Sequence, residues 1–163
     1  MLTKLEQAQQ AWGGTHNAID HWLAERQKLI VDYCKLEGLP PFEKTATLPS
    51  PDELQAFCQR LIDYLSTGHF EVYDQIVSLC AEHGGKSLAL AQQIQPRILL
   101  TTDSLVEFND KYAECDNEDE TLWLSLDNDM SEVGELLEQR FSLEDQLLYT
   151  LSTYHKETVA AEE

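Results

Sequence analysis

The stretch "RLIDYLSTGHFEVYDQI", residues 60–76, decides the fold, because it joins two helical patterns through a short polar segment. Apolar residues at spacings of three and four continue an amphipathic helix through 60–65, and a second such pattern begins at 70–76. The polar segment 66–69 contains Gly68, a residue that favours the left-handed conformation ending many helices. The stretch therefore predicts two helices joined at Gly68.

Upstream of this stretch, the sequence marks where the first of the two helices begins. Ser50 is a good N-cap, Pro51 suits the first helical position, and Glu53 completes a capping box. An apolar stripe follows along one face of this helix, and its members are Leu54, Phe57, Cys58, Leu61 and Leu65. Because these residues recur at helical spacing, we expect them to point into a core.

Helical patterns also fill most of the remaining chain. Gly38 ends the helix that precedes the irregular connection 38–50, and Pro96 is expected to kink or split a later one. Alternating strand patterns are nearly absent. The other predicted helices cover about 2–11, 15–37, 86–114 and 121–156. The sequence thus predicts an all-α antiparallel bundle of four main helices plus short N-terminal and connecting helices, in a single domain over 1–163 with a frayed tail at 156–163.

Acidic residues far outnumber basic residues, and their excess is uneven. Thirty Asp and Glu against eleven Lys and Arg give a formal net charge of −19. Residues 1–80 carry 11 acids and 6 bases, whereas residues 103–163 carry 18 acids and 3 bases. Such a surface repels phosphate, so we expect no direct nucleic-acid binding and favour a basic protein as partner. Solubility alone is the alternative explanation of the charge.

No catalytic pattern is apparent, and we expect neither an enzyme nor a cofactor. The sequence has no phosphate-binding glycine loop, no Gly-x-Ser-x-Gly and no Glu-x-x-His pair of the kind that binds metals in helical bundles. The pairs His16–Asp20 and His21–Glu25 have helical spacing suited to a metal, but surface polar pairs explain them better.

The cysteines and the apolar runs indicate where the protein resides. No run of eighteen apolar residues and no secretory signal is present, so we expect a cytoplasmic protein without a membrane span. The cysteines lie in apolar helical patterns without a Cys-x-x-Cys pair. We therefore predict buried free thiols at Cys34, Cys58, Cys80 and Cys115.

Two interpretations are open for the residues outside the core near Gly68. Asp63 points away from the apolar stripe of its helix, and Val31 and Asp20 point away from that of the helix 15–37. An outward acid beside apolar groups is typical of a protein-binding surface. Alternatively, Phe70 packs across the helix junction and Val31 packs against the connection that follows its helix.

A resemblance to a known family favours the binding surface. The runs "WLAERQKLIVDYC" (22–34), "FCQRLIDYLSTGHFEVYDQI" (57–76) and "GELLEQRFSLEDQL" (134–147) resemble the regulator of sigma D family, also called Rsd/AlgQ. The likeness covers nearly the whole chain and is most specific in "DYLSTGHF".

The resemblance implies an anti-sigma factor. Members of the family bind the C-terminal promoter-recognition domain of the primary sigma factor and block its contacts with core RNA polymerase and the −35 promoter element. This favours alternative sigma factors in stationary phase. Some members of the family also bind the phosphocarrier HPr and stimulate the alarmone hydrolase SpoT. The resemblance therefore also implies an alternative function, the regulation of an alarmone hydrolase.

The resemblance also implies which residues make the binding surface. For Arg26, the helical spacing gives a separate indication: it falls among the inward positions of its helix, which indicates that it pairs with a buried acid. The residues carried over are Asp20, Val31, Asp63, Ser66 and Phe70 as contacts, with Arg26, Leu65 and His69 as supports of that face.

Overall fold

Most of the residues that the structure describes lie in α-helices. The computed structural model describes residues 17–40, 42, 49–83, 86–116 and 118–162, with the side chains of 79, 80, 82, 83 and 151–162 left out. The helices are α1 (Asn17–Glu37), α2 (Pro51–Thr67), α3 (Tyr73–His83), α4 (Lys86–Tyr112) and α5 (Glu120–Glu162), with a π-helical turn, Gly68–Val72, between α2 and α3. No strand occurs in these residues, and the predicted all-α bundle is confirmed. The predicted helix 2–11 lies outside the described residues.

Local signals set two helix ends as the sequence predicts. The Ser50 side chain accepts a hydrogen bond from the backbone N–H of Glu53 at 3.1 Å, and Pro51 is the first residue of α2. Gly38, just after α1, has φ 64°, the left-handed conformation that an L-residue with a side chain rarely adopts. Both boundaries therefore follow from capping chemistry.

The helix break predicted at Gly68 is wrong, and so is the split that was one of two outcomes predicted at Pro96. The chain stays helical from Pro51 to His83, so the segment around Gly68 is not a break between helices. Helix α4 also runs unbroken through Pro96, where a split was one of the predicted outcomes. Pro96 and Gln92, whose carbonyl the proline cannot bond, both lie on the exposed face of α4, where water can solvate that carbonyl.

Helices α1 and α2 pack antiparallel. The guanidinium of Arg60, in the middle of α2, pairs with Asp32 near the end of α1. Tyr64, one turn later in α2, bonds Arg26, which lies earlier in α1. Because later residues of α2 meet earlier residues of α1, the two helices run in opposite directions.

Helices α4 and α5 form the other large antiparallel pair. Lys111 near the end of α4 bonds Asp129 near the start of α5 at 2.6 Å. Arg140, further along α5, bonds Thr101 in the middle of α4 at 3.0 Å. The acidic link between the two helices therefore turns the chain back on itself.

The predicted apolar stripes form one core. Leu54, Phe57, Cys58, Leu61 and Leu65 of α2 are all buried. Cys34, Cys58 and Cys115 are buried free thiols, as predicted, and the side chain of Cys80 lies outside the described residues. Of the described helices, none is long and apolar enough to cross a membrane.

Candidate functional site

The segment that the sequence presents as a helix break is a π-helical turn. Gly68 has φ −57° and ψ −52°, which is right-handed, so the predicted left-handed conformation is wrong. The backbone N–H of Tyr73 bonds the carbonyl of Gly68, five residues back, in place of the usual four. A π-turn adds one residue to the helix and redirects the side chains that follow, and such turns are frequent at functional sites.

Close packing explains why glycine occupies position 68. A Cβ atom built there would lie 2.9 Å from the hydroxyl oxygen of Tyr73 and 3.3 Å from the indole nitrogen of Trp22. The first distance is shorter than real Cβ contacts allow. Glycine is therefore required by side chains from α1 and α3, not by the termination of α2.

A chain of buried hydrogen bonds lies beneath the π-turn and centres on Glu144. The Arg26 Nε donates to the Tyr64 hydroxyl at 3.1 Å, and Tyr64 donates to Glu144 Oε1 at 2.8 Å. From the other side, Arg140 Nη2 donates to the Tyr73 hydroxyl at 2.8 Å, and Tyr73 donates to Glu144 Oε2 at 2.9 Å. All five side chains are buried. We call these five residues the Glu144 network.

The Glu144 network extends towards solvent at one end and into α4 at the other. Arg26 Nη1 bonds Asp145 Oδ1 at 2.7 Å, and the Asp145 side chain is 31% exposed. Arg140 Nη1 bonds the hydroxyls of Thr102 at 2.7 Å and Thr101 at 3.0 Å. The network therefore links α1, α2, α3, α4 and α5 through polar groups whose loss would leave buried charges unpaired.

Burial disfavours the charged forms of the side chains in the Glu144 network, and it shifts their pKa values accordingly. Burial raises the pKa of Glu144 above its usual range, while Arg140, Arg26 and the two tyrosine hydroxyls act in the opposite direction. Burial likewise raises the pKa values of Tyr64 and Tyr73. For Arg26, burial lowers the pKa, but Tyr64, Glu144 and Asp145 outweigh burial and raise it. Both tyrosines therefore stay protonated at neutral pH and remain able to donate to Glu144.

Sequence reasoning identified only one member of this network. Arg26 is buried and pairs with acids, as its inward position predicted. Tyr64, Tyr73, Arg140 and Glu144 were missed. The signal was present for the last two, since Arg140 and Glu144 lie four residues apart on the inward face of α5.

Four predicted site residues come together on the outside of the π-turn and the end of α2. Asp63, Ser66, His69 and Phe70 are all exposed. Phe70 is the most prominent, because 74% of its surface is exposed and its ring meets that of His69 edge-on, with centroids 4.7 Å apart. The carboxylate of Asp63 accepts a bond from Gln59 at 2.9 Å. We call these four exposed residues the Phe70 surface.

The other predicted site residues are placed differently. Arg26 and Leu65 are 1% and 4% exposed, so they can support the Phe70 surface only from within the core. Asp20 and Val31 are both half-buried on α1. Asp20 lies two residues from Trp22, which packs on Tyr73, whereas Val31 lies about 16 Å further along α1 at 1.5 Å per residue. Asp20 is thus near the π-turn, and Val31 is far from it.

Charge around the Phe70 surface is mainly negative. Glu71 and Asp74 are exposed next to it, in addition to Asp63. Arg60, the nearest cation earlier in α2, is paired with Asp32. The exposed ring of Phe70 therefore stands among carboxylates, which suits a partner that combines apolar and positively charged groups.

The described residues offer no arrangement for a metal. No group of three or more His, Cys, Asp or Glu among them is placed to hold an ion. In the pair His21–Glu25, the carboxylate of Glu25 bonds Lys28 at 3.0 Å. His16 of the other candidate pair lies outside the described residues.

Comparisons with known proteins identify the family. A family model described as "Regulator of RNA polymerase sigma(70) subunit, Rsd/AlgQ" matches residues 1–152. A "Regulator of sigma D" from Yersinia pseudotuberculosis is 36% identical over 148 residues, which is 91% of this chain and 87% of that protein. Another from Pectobacterium carotovorum is 35% identical and covers 91% of this chain and 96% of its own length. The chain therefore belongs to the Rsd/AlgQ family of regulators of the RNA polymerase sigma(70) subunit.

Proposed function

We propose that this protein is an anti-sigma factor that uses the Phe70 surface to bind the C-terminal promoter-recognition domain of the primary sigma factor. Binding blocks the association of sigma with core RNA polymerase and with −35 promoter DNA, and so favours alternative sigma factors in stationary phase. The protein acts in the cytoplasm as a binding scaffold and not as an enzyme. The observation that carries the proposal is the exposed Phe70 on a π-turn, in a chain of the Rsd/AlgQ family.

An exposed phenylalanine in this position suits a binding anchor. Full burial of a phenylalanine side chain contributes about 1.5–3 kcal/mol. Because Phe70 is 74% exposed in the folded protein, most of this free energy can still be gained when a partner covers the ring. The turn beneath it is fixed, since the Gly68 carbonyl bonds Tyr73 and the Tyr73 hydroxyl bonds Glu144 and Arg140. Little backbone conformational entropy is therefore lost when a partner covers the ring.

Electrostatics favours the same partner. A domain that reads the −35 element is a helix-turn-helix with a basic surface that meets DNA phosphates. A protein with a net charge of −19 attracts such a domain over long range and competes with DNA for its cations. We therefore expect affinity to fall as the salt concentration rises.

The test measures the affinity of purified variants for the purified sigma C-terminal domain by calorimetry. Wild type should form a 1:1 complex. Phe70→Ala and Asp63→Ala should each weaken it by about 1 kcal/mol or more, which is roughly fivefold in Kd. Leu124→Ala and Asp103→Ala are matched controls, because they remove an exposed apolar group and an exposed carboxylate from α5 and α4. Both controls should retain wild-type affinity.

Two results would contradict the proposal. The first is unchanged affinity in both Phe70→Ala and Asp63→Ala. The second is recovery of HPr or the alarmone hydrolase SpoT, without the sigma factor, when the protein is isolated from stationary-phase cells.

A further inference from the structure

The other large helix pair, α4 and α5, carries a groove that is not used by the function proposed above. It has a volume of about 570 Å³ and lies between α4 and α5. We propose that this groove is a second docking surface, which takes a positively charged amphipathic helix from a partner protein. The proposal rests on three features of the groove: its apolar floor, its uncompensated carboxylates and the exposed leucine at its end.

The floor of the groove is apolar. Phe108 of α4 and Val133 and Leu136 of α5 line it. Phe108 and Val133 are buried beneath the rim, and Leu136 is half-buried. A partner side chain that reaches this floor therefore leaves water for an apolar contact, which is the driving force for docking of an amphipathic helix.

The rim of the groove carries more acidic than basic side chains, so its charge is negative. Glu107, Asp129, Glu132 and Glu135 line it, against the single cation Lys111. Lys111 is already bonded to Asp129 at 2.6 Å. Within the described part of the chain, Glu107, Glu132 and Glu135 form no ion pair and are exposed, so the groove presents three available carboxylates.

An exposed leucine prolongs the groove along α4. Leu100 is 69% exposed, and the lining residues Ser104, Glu107 and Lys111 follow it by four, seven and eleven positions. That spacing places all four on one side of the helix. From Leu100 to Lys111 the axis rises about 16 Å, roughly three helical turns. A partner helix of that length can contact Leu100 and the groove floor together.

Charge selects among the possible occupants. A second copy of this chain brings a net charge of −19 to a negative rim, and nucleic acid or an anionic membrane is repelled in the same way. A helix with lysines or arginines flanking an apolar stripe satisfies both the rim and the floor. The groove shares no lining residue with the Phe70 surface, and the π-turn packs on α1, α2 and α3, so the groove is a separate surface.

The test uses a synthetic lysine–leucine peptide with leucines at helical spacing, and a scrambled peptide of the same composition. Binding to the isotopically labelled full chain is followed by amide chemical shifts. We expect the largest shifts at the residues of the groove, and binding at least about tenfold weaker for the scrambled peptide, which cannot present one apolar face.

Matched variants separate this site from general attraction to an acidic protein. Glu132→Gln with Glu135→Gln should weaken peptide binding severalfold, whereas Glu71→Gln with Asp74→Asn, which removes two exposed charges beside the π-turn, should leave it nearly unchanged. Leu100→Ser should also weaken it, and Leu124→Ser should not. Equal weakening by both charge pairs, equal binding of both peptides or shifts centred on Phe70 would overturn the proposal.

Discussion

Replacing Gly68 by alanine tests the explanation of the π-turn most directly. In an ordinary helix interior, alanine is about 1 kcal/mol more favourable than glycine. At position 68, however, the new methyl group would lie 2.9 Å from the hydroxyl oxygen of Tyr73. That hydroxyl cannot retreat freely, because it bonds both Glu144 and Arg140. We therefore expect Gly68→Ala to destabilise the protein, against the intrinsic preference.

The size of the effect follows from three contributions. Overpacking of a dense core costs about 1–3 kcal/mol. Displacement of Tyr73 weakens hydrogen bonds to charged groups, worth about 1.5–3 kcal/mol each when lost outright. The helix preference of alanine offsets about 1 kcal/mol. The free energy of unfolding should fall by about 1–3 kcal/mol, which lowers Tm by roughly 2–12 °C for a chain of this length.

Urea unfolding followed by circular dichroism measures this change. Ser66→Ala is the matched control, since Ser66 is exposed in the same helical stretch two residues earlier and should change stability by no more than about 0.5 kcal/mol. If Gly68→Ala were as stable as wild type or more so, close approach of Tyr73 would not be the reason for glycine, and our account of the π-turn would be refuted.

Two further predictions concern buried groups. Tyr73→Phe removes the hydroxyl that joins Arg140 to Glu144, and the free energy of unfolding measured in urea should fall by about 1–3 kcal/mol. Unchanged stability would show that this hydroxyl does not stabilise the Glu144 network. Burial, together with Cys115 nearby, raises the pKa of Cys58 to about 12, so its thiol stays protonated and covered. Iodoacetamide at pH 8 should modify Cys58 only after unfolding, as read by mass spectrometry, and modification of the native protein at the unfolded rate would contradict this.

Much of the fold could be predicted because its causes are local. The start of α2 depends on Ser50 and Pro51, and the end of α1 depends on Gly38, each of which acts through neighbouring backbone groups. The inward faces depend on helical spacing alone. At the candidate site, the same periodicity predicted that Asp63 faces solvent and that Arg26 is buried with an acid, and both predictions are confirmed.

The predictions that failed depend on tertiary packing and exposure, which no local pattern reports. Gly68 in a polar segment is equally compatible with a helix end and with a close contact, and nothing within a few residues distinguishes the two. Trp22 and Tyr73 decide the matter, because their side chains fill the space where a Cβ would lie. The split that was one predicted outcome at Pro96 is similar in kind, since a helix continues through a proline more easily when the carbonyl that the proline leaves unbonded faces water.

The sequence by itself thus determined an acidic all-helical bundle of the Rsd/AlgQ type, with its main helix starts and its inward faces, because periodicity and capping act over one or two turns. Only the tertiary structure decided that the helix continues through Gly68, that Glu144 joins two arginines through two tyrosines, and that Phe70 stays outside. These features arise where side chains from five helices meet. Most of the interacting residues are far apart along the chain, so the periodicity of any one helix does not predict their contacts.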